Sequence, residues 1–106
     1  MIVTSCEHIA GKRIAKTLGL VKGNTIRARH IGRDIGALFR TIVGGEVKEY
    51  TKLLAESREQ AVDRMVNDAK AMNADAIIMV RFSTSAIMTS AAELLAYGTA
   101  VLLKDE

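Results

Sequence analysis

A single cysteine, Cys6, among 106 residues excludes an intramolecular disulfide and fits a reducing compartment. Proline is absent and no Pro/Gly/Ser-rich stretch divides the chain, so one domain spanning residues 1–106 is expected. Tryptophan is absent too, and Phe39, Tyr50, Phe82 and Tyr97 are the only aromatic residues. None of them interleaves with the basic residues as a base-stacking platform requires. No apolar run approaches the ~20 residues of a bilayer span. The N-terminus, MIVTSCEHIAGKR, lacks the apolar core of a signal peptide. The expectation is a cytoplasmic protein with no membrane partner.

What is present is unevenly charged. The net charge is +3, but residues 1–45 carry eight Lys/Arg against two acids, and residues 46–106 carry seven against ten. Two readings follow. The basic half, with Lys12, Arg13, Arg27, Arg29 and Arg33, binds a nucleic acid or another anionic partner. Alternatively, the basic half of one subunit meets the acidic half of another, since complementary potentials orient assembly. The lack of interleaved aromatics favours assembly or a plain solvated surface.

Periodicity supplies the helices. Ile31, Ile35, Leu38, Phe39 and Ile42 fall on one face of a short helix, and Gly44-Gly45 then reverses the chain. A phosphate-cradling loop would need a preceding strand and a Lys-Ser/Thr pair, and neither is present. Over 46–73, Val47, Tyr50, Leu54, Ala61, Met65, Ala69 and Met72 form a stripe thickened by Leu53, Val62 and Val66. Lys52/Glu56 and Arg64/Asp68 stand at the i,i+4 spacing of helical ion pairs. Asn73 is a C-terminal stop in a left-handed conformation.

Strands account for most of the remainder. Residues 13–29 read as one long bent strand or a tight hairpin, with a turn or bulge signal at Lys22-Gly23-Asn24. The apolar runs over 75–84 and 93–104 read as strands buried on both faces, with Gly98 marking a bulge or a close backbone contact. Ser83 to Ala92, polar to small, reads as a loop, and Met1 to Ser5 can add a short edge strand. The class is therefore α+β, one long helix on an antiparallel three-stranded sheet with a short extra helix. One helix covers one sheet face. The other would expose apolar residues, which burial against further copies resolves.

Few residues carry chemistry. No serine sits in a G-x-S-x-G elbow, neither histidine stands in a triad context, and Glu56, Glu59 and Asp63 fall on an exposed helix face. Met65, Met72, Met79 and Met88 sit at the spacings of core filler rather than of a thioether site. Catalysis is not expected. Cys6 and His8 are the soft metal ligands closest together, and on an extended segment both point the same way, with Glu7 opposite. Two ligands make half a tetrahedral site, which symmetry can complete in a cyclic oligomer. The favoured alternative is a buried Cys beside a surface His. His30, with Arg27, Arg29 and Arg33, can hold an anion at the start of the short helix or form a basic interface; the interface is favoured.

These elements also carry a resemblance. Gly11-Lys12-Arg13-Ile14, Leu18-Gly19-Leu20-Val21-Lys22-Gly23 and Arg33-Asp34 followed by Ile42-Val43-Gly44-Gly45 resemble the YbjQ-like family. Tyr50, Arg58-Glu59-Gln60-Ala61, Asn73-Ala74-Asp75-Ala76 and Gly98-Thr99-Ala100-Val101 continue the match in the family's order. The resemblance implies a dodecin-like β-α-β-β subunit in a homopentamer, and it brings a heavy-metal-binding label without an established activity. Two features depart from the family: Arg29-His30 replaces an Ala-Asn pair, and Arg81, Ser83 and a glycine-free SAIMTSAAE replace acidic residues and glycines. If the label applies to this chain, Cys6 and His8 carry it. Thiolate and imidazole suit zinc, copper or nickel rather than calcium or magnesium.

Overall fold

Strand β1 (Ile2–Val3), strand β2 (Lys12–Ala28), helix α1 (Val47–Ala71), strand β3 (Ala76–Met88) and strand β4 (Ala91–Asp105) follow one another in the computed structural model. It describes residues 1–28, 47–88 and 91–106. The short helix expected over Ile31 to Ile42 and the Gly44-Gly45 turn lie outside them. The strands form one four-stranded mixed sheet in the order β1-β3-β4-β2. The pairs β2/β4 and β3/β4 are antiparallel, and β1 lies parallel to β3. The expected sheet had three strands; the fourth is the β-branched N-terminal pair Ile2-Val3, added at the edge.

Residues 12–28 form one strand rather than a hairpin. Its ladder to β4 shifts register between Ile14 and Lys16 and again between Thr17 and Gly19. The expected loop from Ser83 to Ala92 is also strand for most of its length. Ser83 pairs with Leu95, Ser85 with Glu93 and Met88 with Ala91, so β3 and β4 make a hairpin. Polar and small residues concealed it because alternation marks a strand only when one face is buried.

Helix α1 lies across β2 and β4 and barely reaches β3. The middle of its stripe is fully buried at Ala61, Met65 and Ala69, whereas Leu54 and Met72 at its ends are exposed. Opposite sit Val21, Leu94, Ala96 and Ala100 with Ile77 and Val80 of β3. Each large aliphatic side chain so buried contributes about 1.5–3 kcal/mol. The helix ends as expected: Asn73 has φ 59°, Ala74 N donates to Ala69 O at 3.1 Å and Asn73 N to Lys70 O at 3.0 Å. These two bonds are the paired closure of a Schellman motif.

The turn or bulge expected at Gly23 is instead a close contact between helix and strand. A Cβ there would lie 2.3 Å from both Ala61 O and Met65 N. Arg64 and Asp68 do not pair within the helix. The Arg64 guanidinium donates to Asn24 O, and Asp68 Oδ2 accepts from Lys22 N at 3.1 Å. Both bonds tie α1 to the outer edge of β2 on either side of Gly23. Gly98 has a similar role, since a Cβ there would meet Ile77 Cγ2 at 2.7 Å. Opposite Gly98, between Ile78 and Arg81, β3 bulges, and Met79 takes a left-handed φ of 54°.

Beneath the sheet, a second small cluster joins Ala76, Ile78 and Val101 to Ile9 and Leu103. It accounts for the apolar residues of both parities in β3 and β4, since the N-terminal segment covers that end of the second face. Farther along, the face is open: Leu20 is 63% and Ile26 57% exposed.

Gly23→Ala is expected to destabilise the fold by about 3 kcal/mol or more, because the added methyl meets helix backbone that cannot rotate away. Urea unfolding followed by circular dichroism measures this. A midpoint equal to wild type would show that α1 is not seated on β2 as described.

Candidate functional site

The segment from Thr4 to Gly11 brings both soft donors to one end of the sheet. Thr4 N donates to Ile77 O, Val80 N to Thr4 O and Met79 N to Cys6 O, each at 3.0 Å. These bonds carry the chain along β3 as far as the bulge. There it bends over residues 5–7, and Cys6 N closes back on Thr4 Oγ1 at 3.1 Å. Arg81 fastens the bend from the β3 side, donating to Ser5 O at 3.1 Å and to Val80 O at 3.0 Å. Sequence reasoning missed this role; the one signal was a lone charge inside the apolar run DAIIMVRF.

Cys6 is a free, exposed thiol, so the favoured alternative of a buried cysteine does not hold. The bend removes the extended geometry that would aim Cys6 and His8 the same way. It also brings Glu7 round, placing its Oε1 3.7 Å from His8 Nε2 with both side chains largely exposed. That separation is too long for a hydrogen bond and attractive only when the imidazole is protonated. His8 borders a shallow pocket of about 380 Å³, lined also by Ile9, Lys12, Arg13, Leu103 and Glu106. Among the described residues no three His, Cys, Asp or Glu side chains gather closely enough to hold a metal ion. The described residues of one chain therefore do not offer a complete site.

Of the basic group, Arg27 lies in β2 opposite Ala92, while Arg29, His30 and Arg33 fall outside the described residues. Arg13, Lys16 and Lys22 are exposed. Lys12 forms an ion pair with Asp105 across the ends of β2 and β4. At the same end, Asp75 Oδ2 accepts from Leu103 N at 2.8 Å, satisfying a ladder N–H beyond the start of β3. None of the described helices is long and apolar enough to cross a membrane.

The pattern of the YbjQ family, described as "Putative heavy-metal-binding", matches residues 1–104, and the chain belongs to that family. It is 61% identical over 104 residues to an uncharacterised UPF0145 protein of Dehalococcoides mccartyi, covering 98% of this chain and 100% of that one. A UPF0145 protein of Methanosarcina acetivorans is 56% identical over 105 residues, 99% of each chain. The fold also matches a crystal structure of a protein of unknown function from Pediococcus pentosaceus, assigned to the DUF74 family. The TM-score is 0.69 at 17% identity, with 98% of each chain covered. That likeness concerns the fold alone.

The Lys12–Asp105 pair yields a pH prediction. The hydrogen bond from Lys12, and then its charge, hold the Asp105 carboxyl below the usual carboxylate range. The same bond and charge raise Lys12. Any stability from Asp105 is thus present above its ordinary pKa and lost as pH falls through the lowered value. The Lys12 contribution is complete below its ordinary pKa and lost as pH rises through the raised one. Exposure to solvent keeps both small. A carbon-detected NMR titration should place the Asp105 midpoint below that of an unfolded peptide, and Lys12→Ala should return it to the ordinary value. An ordinary midpoint in wild type would refute the pair.

Proposed function

We propose that this chain is a non-enzymatic, self-assembling binding protein of the cytoplasm, working as a dodecin-like homopentamer that holds its ligand between subunits. The observation that carries the proposal is the open sheet face bearing Leu20 and Ile26, beside a helix that covers only the opposite side. Apolar strand residues left in water on a small chain call for a partner. The opposed charges of the two halves of the sequence suit a second copy as that partner.

The ligand we propose is a transition metal of the zinc, copper or nickel class, in keeping with the family's description. The donors are Cys6 and His8. Since the described residues of one chain do not gather a complete set, the site takes donors from several subunits and depends on assembly. Arg81 would act as a positioning residue, holding the bend that presents Cys6.

Zinc titration by calorimetry tests the reading. Wild type should bind with fewer than one ion per chain, and Cys6→Ser and His8→Ala should each weaken binding at least tenfold. Affinity should also fall as the solution is acidified, because a protonated ring cannot ligate. Equal binding in all three proteins would remove these two residues from the site. No binding by wild type would remove metal from the proposal.

A further inference from the structure

Along the chain no aromatic residue interleaves with basic ones, but across the sheet one does. The ladder register sets Tyr97 of β4 between Lys22 of β2 and Arg81 of β3. Side chains alternate between the two faces of a strand. Val21, Ala96 and Val80, one residue away from each of the three, are buried with α1 on the helix side. Lys22, Tyr97 and Arg81 therefore stand in one row on the second face, which the helix does not cover. Lys22 and Arg81 are exposed, and Tyr97 is half-buried.

Both cations are available to a ligand. Among the described residues neither has an ion-pair partner. Asp68 takes the backbone N–H of Lys22 and not its ammonium. Arg81 uses Nη1 for Ser5 O and Val80 O, which fixes the guanidinium and leaves Nη2 and Nε as donors. Glu93, on the same face of β4 as Tyr97, lies two rows away, and its Oε2 accepts from Asn24 Nδ2 at 3.0 Å. No carboxylate of β4 therefore neutralises the row.

An aromatic ring between a fixed guanidinium and an ammonium suits a planar ring that carries phosphate. Stacking supplies the contact area, arginine meets phosphate with a two-pronged fork, and lysine adds a point charge. We propose that this row is a binding site for a free nucleoside phosphate, with the base over Tyr97, the phosphate on Arg81 and Lys22 on the far side of the ring. A nucleic-acid strand fits less well, because successive bases need successive aromatic side chains. The adjoining rows, Leu20–Thr99–Ile78 and Asn24–Leu95–Ser83, hold no ring. The site is built within one chain and includes neither Cys6 nor His8, so it is separate from the metal reading. It is compatible with assembly. A copy seated on Leu20 and Ile26 would cover two unpaired cations, which is costly unless an anion lies with them.

Tryptophan is absent and Tyr50 is the other tyrosine, so Tyr50→Phe makes Tyr97 the sole reporter of stacking. AMP added to this full-length variant, with no metal present, should quench the tyrosine emission saturably. In calorimetry, Tyr97→Leu should weaken AMP binding about tenfold or more, whereas Tyr97→Phe should keep it. Lys22→Ala should weaken it about threefold at low salt and less at high salt. Adenosine and inorganic phosphate should each bind about tenfold more weakly than AMP, since each makes half the contacts. Circular dichroism melting confirms that the variants fold, and if Tyr97→Leu does not, the Tyr97 emission and Lys22→Ala decide. Absence of quenching, or AMP binding that neither Tyr97→Leu nor Lys22→Ala alters, would overturn the site. Inorganic phosphate bound as tightly as AMP would overturn the ring platform and leave a plain anion site. A ten-residue oligodeoxyadenylate bound more tightly than AMP would replace the free nucleotide with a nucleic-acid strand.

Discussion

The seating of α1 on β2 at Gly23 organises this molecule. Ala61 O and Met65 N lie where a Cβ on that residue would be, so helix backbone rests on strand backbone. So close an approach favours small residues among those packed beneath the helix. Ala96 and Ala100 of β4 and Ala61 and Ala69 of α1 are all fully buried. Met65, flexible and unbranched, fills the space that remains. The short distance also lets Arg64 and Asp68 reach the β2 edge and bond to its backbone. Because the helix settles over β2 and β4, β3 is left to the N-terminal segment. That segment extends only to the bulge at Met79. The placement of the soft donors and the open second face both follow from where the helix sits.

Much of this architecture was legible in the sequence, for reasons that can be named. Ala61, Met65 and Ala69 announce a buried helical face because they recur at helical spacing, and Asn73 closes the helix because its side chain tolerates a left-handed backbone. The run from Ala76 to Val80 announces a strand because both its faces are covered, one by α1 and the other by Ile9 and Leu103. Gly98 was legible as a close contact. Gly23 was misread because a glycine that makes room for a helix and one that makes a turn look alike along a chain. Ser83 to Met88 was misread because a strand with little cover shows no alternation. Arg64 and Asp68 have the spacing of an ion pair, but two backbone groups on β2 compete for them and win.

The candidate site was legible only in part. The proximity of Cys6 and His8 can be read directly, but their relative direction cannot. It is set by hydrogen bonds between Thr4, Ser5 and Cys6 and residues 77–81, far away in sequence. The basic cluster around His30 falls outside the described residues apart from Arg27, so its grouping remains a property of the sequence.

Among the described residues, a single chain thus leaves two things incomplete: a sheet face and a set of metal donors. Further copies of the same chain would complete both, and this is the account's central claim. Native mass spectrometry of the purified protein, with elemental analysis of the same sample, tests it most directly. The account predicts a closed assembly of five copies of the 11.5 kDa chain, retaining fewer metal ions than subunits. A species of one chain at every concentration, free of metal, would contradict it.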